Sequence, residues 1–260
     1  MTKIFKYTFY NLLRSYWVFI YLAFFLLTAS ALLYFSPTME RAIVSIMNIE
    51  IAIIPLMSIL FGSMYFYNSK EFTELLLSQP LKRTSIFAGQ YLGLSLSLVL
   101  GFGAGVLVPF IFYGILTSSE IWNFSILLIT GIAMTFIFTA IAYLIAIYTT
   151  NKIKGFGIAI ICWLFFAVIY DGLILLVMAL FYDYPLEHAS LAMTIINPID
   201  LARILILLKL DISALMGFTG ALFNKFFGST QGMLISAFIL ILWISLPYYL
   251  YLRKANTKDF

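Results

Sequence analysis

Charge is scarce in this sequence: only 10% of its 260 residues are Asp, Glu, Lys or Arg, against about a quarter in an ordinary soluble domain. Cysteine is nearly absent too, with Cys162 alone, so no disulfide framework can form. The single histidine, His188, has no acid, base or metal-ligand companion at a recognised spacing, which excludes His-Glu-x-x-His and related metal motifs. No Gly-x-x-x-x-Gly-Lys-Ser/Thr phosphate loop and no Gly-x-Ser-x-Gly nucleophile motif occur. The run Gly101-Phe102-Gly103-Ala104-Gly105 lacks the strand and helix that a nucleotide loop needs. The ten methionines are scattered, and only Met178 and Met193 fall near His188. Methionine is an ordinary gap-filler in apolar packing. No enzyme activity, metal site or cofactor of its own is therefore expected.

What is abundant is apolar surface. Hydrophobic residues make up 63% of the chain, aromatics 18%, and the mean hydropathy is +1.06. A membrane-spanning helix needs about 20 mainly apolar residues. Six such segments can be read, at about 16–35, 43–67, 91–116, 121–148, 155–182 and 232–252. They must be helices, because an open strand would leave backbone polar groups unpaired in hydrocarbon. The expected fold is an all-α polytopic membrane protein with six transmembrane helices in one transmembrane domain covering 1–260. The first apolar run has no small-residue cleavage site after it, so it is expected to be a true span rather than a signal peptide.

Eleven of the fifteen Lys and Arg residues fall beside both termini, in 69–93, or in the Thr149 to Lys154 turn. The opposite side holds only Arg41, Arg203, Lys209 and Lys225. By the positive-inside rule both termini are expected on the cytoplasmic side. The net charge of +4 is thus a topology signal rather than a nucleic-acid one.

The interruptions in the apolar pattern carry the candidate sites. Residues 1–14 place Phe5, Phe9, Leu12 and Leu13 on one face of an expected interfacial helix. Glu50 lies about two turns into the second span and either faces protein or water, or snorkels outward. Asp171 stands sixteen residues beyond Gly155, about 24 Å up a membrane about 30 Å thick. It suits a proton or cation contact, a salt bridge locking an outer gate, or a plain hydrogen bond to a neighbouring helix. Gly89/Gly93 and Gly101/Gly105 have the spacing that lets helix backbones approach closely, within the subunit or across a dimer.

Residues 183–229 form the one long outer connection, and Asp183, Glu187, Asp200 and Asp211 give it an acidic surface suited to a partner. Within it Asn197 is an expected N-cap and Pro198 a first-turn residue of a helix running toward Lys209, before a break at Asp211, Ser213 and Gly217. Asn197, Pro198, Asp200 and Arg203 are the candidate partner-facing residues there.

The stretch 69–93 is the longest charged interruption. Phe72, Leu75 and Leu76 are expected on one helical face and Glu71, Glu74 and Ser78 on another, with Pro80 ending the helix. Lys82 and Arg83 hold the turn in the cytoplasm, and Thr84 or Ser85 can cap the next helix. On these residues alone the segment is either an amphipathic loop resting on headgroups or a helix that meets a protein.

The organisation resembles the permease subunits of the type-2 ABC exporter superfamily, and within it the NosY-like permeases. The residues that carry the likeness are Leu75-Leu76-Leu77-Ser78-Gln79-Pro80-Leu81-Lys82-Arg83 running to Gly89 and Gly93, the span-five run Trp163-Leu164-Phe165-Phe166 with Asp171, and Asn197-Pro198-Ile199-Asp200 with Arg203, followed by Ser213-Ala214-Leu215-Met216-Gly217. Glu71-Phe72 stands where many relatives have Gly-Thr, and Gln90 where a Lys often follows the glycine. The resemblance implies a homodimeric permease bound to a separate cytoplasmic ABC ATPase, which holds the ATP and Mg. Its coupling helix would comprise Glu71, Phe72, Glu74, Leu75, Pro80 and Arg83. It further implies a periplasmic β-helical copper-handling subunit and a copper chaperone lipoprotein as partners, in copper-site maturation of nitrous oxide reductase, by transmitting motion or exporting a sulfur species. An exporter permease for a drug, lipid or peptide is the alternative.

Overall fold

A computed structural model describes residues 1–181, 187–209 and 230–258, with no side-chain account of 187–189, 207–209 and 230–231. Asp183, Asp211, Lys225 and the Ser213 to Gly217 stretch lie outside the described residues, as do the side chains of Glu187, His188 and Lys209. All regular structure among the described residues is helical: α1 (Thr2–Leu13), α2 (Tyr16–Phe35), α3 (Met39–Asn68), α4 (Lys70–Leu77), α5 (Arg83–Phe112), α6 (Ile121–Tyr148), α7 (Lys152–Leu164), α8 (Tyr170–Leu180), α9 (Glu187–Ile196), α10 (Pro198–Lys209) and α11 (Thr230–Thr257). Six helical stretches are long and apolar enough to cross a membrane, namely α2, α3, α5, α6, the continuous α7–α8 rod and α11. The protein is a multi-pass membrane protein.

The span ends differ from the sequence expectation for local reasons. α3 begins at Met39, earlier than hydropathy marks it, because the Thr38 side chain accepts the Arg41 amide and caps the helix. α5 begins at Arg83, eight residues before its apolar part, with Lys82 at the N-cap position and no side-chain cap from Thr84 or Ser85. It stops at Phe112 rather than running to 116, where Gly114 turns left-handed at φ 84° and the chain tightens into a 3₁₀ turn at Ile115–Thr117. Only glycine adopts that conformation without steric cost.

The bundle is built around α3, α5 and α6, with α2 and α1 lying along α5 and α11 along α6. α1 is held by glycine notches along a line next to its apolar face, on which the Phe5 and Phe9 rings stack 5.6 Å apart. Its buried residues are Ile4 and Thr8, whereas Phe5 and Phe9 are only partly covered. A Cβ at Gly89 would sit 3.1 Å from Ile4, and one at Gly93 would sit 2.7 Å from Thr8. One pair up, a Cβ at Gly105 would meet Phe25 at 2.7 Å and the Leu22 carbonyl at 2.8 Å. Both small-residue pairs therefore serve close packing within the subunit. Tyr251 of α11 closes the basic end among Phe66, Phe87 and Tyr143, at ring separations of 6.4, 5.9 and 5.2 Å.

Candidate functional site

Two regions of the molecule place charged side chains with evident constraint, one at each end of the bundle. At the end that holds both termini, Asn68 closes α3 and Ser69 starts α4 directly, so the polypeptide turns out of the membrane with no loop. α4 is fixed from below. Thr73 donates to the Ser69 carbonyl at 2.8 Å and accepts from Gln90 of α5 at 2.9 Å, in a buried pair. Leu76 packs with Ile4 and Ile86, and the Phe72 ring stacks on Tyr7 with centroids 4.9 Å apart.

The outward stripe of α4 is Lys70, Glu71, Glu74, Leu75 and Ser78, all exposed. Leu75 was expected on the apolar face with Phe72 and Leu76, but it is 58% exposed. Thr73 takes its place underneath because Gln90 supplies a polar partner there. Pro80 is exposed beyond the helix, which already ends at Leu77. Arg83 is engaged elsewhere: its guanidinium donates to the Lys258 carbonyl at 2.8 Å, tying α5 to the end of α11. Lys70 and Glu74 pair at 3.6 Å on the surface, a contact contributing about 0.3–0.5 kcal/mol.

At the opposite end the α7–α8 rod is interrupted by a π turn, Phe165–Ile169. Such turns leave backbone groups without their usual helical partner. Asn197 meets one of them, its side-chain amide donating to the Phe166 carbonyl at 2.9 Å and to Asp200 at 2.9 Å. Its carbonyl oxygen accepts the Ile199 amide at 3.0 Å, the N-cap bond expected for α10. Arg203, one turn further, bridges Asp171 at 3.0 Å and Asp200 at 3.1 Å. Tyr170 adds a hydrogen bond to the Met193 carbonyl at 2.7 Å.

This cluster corrects the expectation that Asn197, Pro198, Asp200 and Arg203 present a surface to a partner. Asn197, Pro198 and Asp200 are buried and Arg203 is half-buried, because they hold α10 against the rod. Of the readings open for Asp171, the structure realises the salt bridge. Burial, and next to it the neighbouring Asp171, push the Asp200 carboxyl up to about 7, against the pull of Arg203.

Glu50 belongs to neither end. It is fully buried, with one oxygen accepting from Thr130 of α6 at 3.2 Å. The outward-snorkelling alternative does not occur, since α3 turns this side chain toward α6. Its second oxygen and the nearby Tyr21 hydroxyl have no protein partner among the described residues.

No family model matches the chain. Among curated proteins it is 27% identical over 166 residues, 62% of this chain and 55% of the relative, to a "Probable ABC transporter permease protein NosY" from Stutzerimonas stutzeri. A protein of the same name from Pseudomonas aeruginosa is 28% identical over 152 residues, covering 55% of this chain and 54% of the relative. The chain is similar to NosY permeases. It spans about half the length of the curated relatives it matches. Sequence reasoning missed the Gln90–Thr73 pair and the π turn: the first links residues 17 apart through one side chain, and the second leaves no signature in a uniformly apolar run.

Proposed function

We propose that this chain is the permease subunit of an ABC transporter, in which α4 receives a cytoplasmic ATPase and passes its motion to α5. The observation that carries the reading is the outward stripe of α4. Leu75 stands 58% exposed between Glu71 and Glu74 at the basic end of the bundle. An apolar tip ringed by charge is the composition of a protein contact rather than of a helix resting in headgroups. The buried Thr73–Gln90 hydrogen bond supplies the mechanical link to α5. Basic residues concentrated at that end support a cytoplasmic side for it and for both termini. The similarity to NosY permeases extends the proposal to copper-site maturation of nitrous oxide reductase, with a second copy of this chain and a periplasmic copper-handling subunit completing the assembly.

The first test is co-expression and co-purification of the full chain with an ABC ATPase from the same source. Leu75→Asp and Glu74→Lys should each lower recovery of the ATPase about tenfold, the size of a contact of about 1.4 kcal/mol, while leaving membrane insertion unchanged. Full recovery with both variants would refute α4 as the contact. For the finer role, deletion of the gene should leave nitrous oxide reductase without its copper; normal loading would remove the maturation role and leave the permease reading intact.

A further inference from the structure

α2 lies closely along α5 but only sparsely along α3, and the space left between α2 and α3 opens sideways toward the membrane. It forms a groove of about 420 Å³, within the range of pockets that hold small ligands. Trp17, Ile20 and Phe24 line one wall and Met57, Phe61 and Met64 the other, with Phe156 of α7 at the base. The Trp17 and Phe61 rings stand 6.3 Å apart across it.

Directly toward the basic end, α1, the α1–α2 turn and the junction of α3 with α4 frame a second pocket of about 510 Å³ of different character. Asn11 borders it from α1, Arg14 and Ser15 from the α1–α2 turn, Tyr65 and Asn68 from the end of α3, and Phe72 from α4. No carboxylate among the described residues lies within ion-pairing distance of Arg14. Lys152 brings a second cation to the rim, its ammonium 2.8 Å from the Asn68 side chain. Trp17 of the apolar groove stands in the first turn of α2, and Arg14 and Ser15 lie in the turn just before it. On α3 Phe61 and Met64 continue at helical spacing into Tyr65 and Asn68.

A basic, hydrogen-bonding pocket at membrane-surface level, continued by an apolar groove into the same leaflet, has the two-part chemistry of a phospholipid. We infer that this crevice beside α3 binds one anionic phospholipid of the leaflet at the basic end, its phosphate held by Arg14 with Lys152 at the rim and an acyl chain laid along the groove over Trp17 and Phe61. The site leaves out the exposed stripe of α4 on which the ATPase reading rests and uses only Phe72 on the other side of that helix. Two cations and several hydroxyl or amide donors match a singly charged phosphodiester, whereas a second copy of this chain would bring its own Arg14 and Lys152 against these.

The full chain purified in detergent provides the test, by native mass spectrometry with phosphatidylglycerol or phosphatidylcholine added. One phosphatidylglycerol should be retained at a concentration about fivefold lower than phosphatidylcholine, the effect of roughly one surface cation on an anionic lipid. Arg14→Gln should remove the preference, and Phe61→Ala should weaken retention of both lipids. Phosphatidylglycerol carrying a photoreactive acyl chain should label peptides within 17–24 and 57–64 in reconstituted bilayers. Equal retention of the two lipids, or an Arg14→Gln variant indistinguishable from the parent, would overturn the site. So would disulfide cross-linking of Phe61→Cys between two copies at the expense of lipid labelling, since the groove would then be a subunit contact.

Discussion

The α6 span and the α7–α8 rod are close in length and hydropathy, yet the protein treats them in opposite ways. In the most apolar stretch of α6, 67% of residues are buried; in that of the rod, none are. Hydropathy cannot make this distinction, because lipid tails satisfy an apolar side chain as well as a neighbouring helix does. What separates the two is small and polar detail. α6 carries Gly131, Thr130, Thr135 and Thr139 into the bundle interior, where Phe102 and Glu50 press against Gly131. The rod offers Leu173, Leu175 and Leu176 to its surroundings and holds the rest of the molecule at a few points along its length. Among them are Trp163, which donates to the Ala52 carbonyl of α3 at 3.1 Å, and the Phe166 carbonyl that Asn197 meets. Tyr67 of α3 donates to the Thr149 carbonyl at 3.0 Å just before the rod begins. Asp171 meets Arg203 near the other end.

The contrast can be broken most directly by truncating one large side chain on each side of it. Phe102→Ala empties a site at 0% exposure packed on Phe25 and Gly131. It should cost about 3–5 kcal/mol in reversible unfolding in mixed micelles. Leu175→Ala, at 69% exposure, should cost less than about 0.5 kcal/mol. Equal losses would mean that the rod is buried in the assembled protein. A smaller effect separates two glycines of one helix. Gly105→Ala forces a methyl against the Leu22 carbonyl and should lose about 1–3 kcal/mol. Gly103→Ala meets nothing within 4 Å and should gain stability, up to about 1 kcal/mol from helix propensity.

The smallest effect is confined to the junction of α8 and α10 and is read through pH. The folded protein keeps the Asp200 proton up to about 7, whereas the unfolded chain releases it near 3.8. The junction is therefore most stable below 3.8 and loses stability progressively as pH rises toward 7. Unfolding midpoints measured between pH 4 and pH 8 should fall across that window, and Asp200→Asn should flatten the profile. A midpoint that rises over the same range would show that ionised Asp200 is the form Arg203 prefers.

Much of this architecture could be read from the residues alone. The six spans followed from run length, α10 from Asn197-Pro198, and close packing on α5 from its paired glycines, though the structure alone names α1 and α2 as the helices packed there. Side-chain direction was less legible. Leu75 has the spacing of an apolar face, but Gln90 draws Thr73 underneath and turns Leu75 outward. Asn197, Asp200 and Arg203 have the polarity of an exposed loop, yet they are spent on a backbone carbonyl and a carboxylate that only a π turn brings into reach. Both misreadings arise where one polar group finds a partner distant in sequence, information that local pattern does not hold.

The π turn at Phe165–Ile169 also makes the rod sensitive to a kind of change that no substitution tests. Its wide turn takes up one residue more than an α turn while rotating the chain by about as much. Removing any single residue from this stretch would restore an unbroken helix of unchanged hydropathy and nearly the same length. Asp171 would keep its direction toward Arg203, but the Phe166 carbonyl would return to the helical ladder and leave Asn197 without the group it meets. The far end of the molecule is thus keyed to residue number as well as residue type: a deletion invisible to hydropathy would remove one of the ties that hold α10 to the rod.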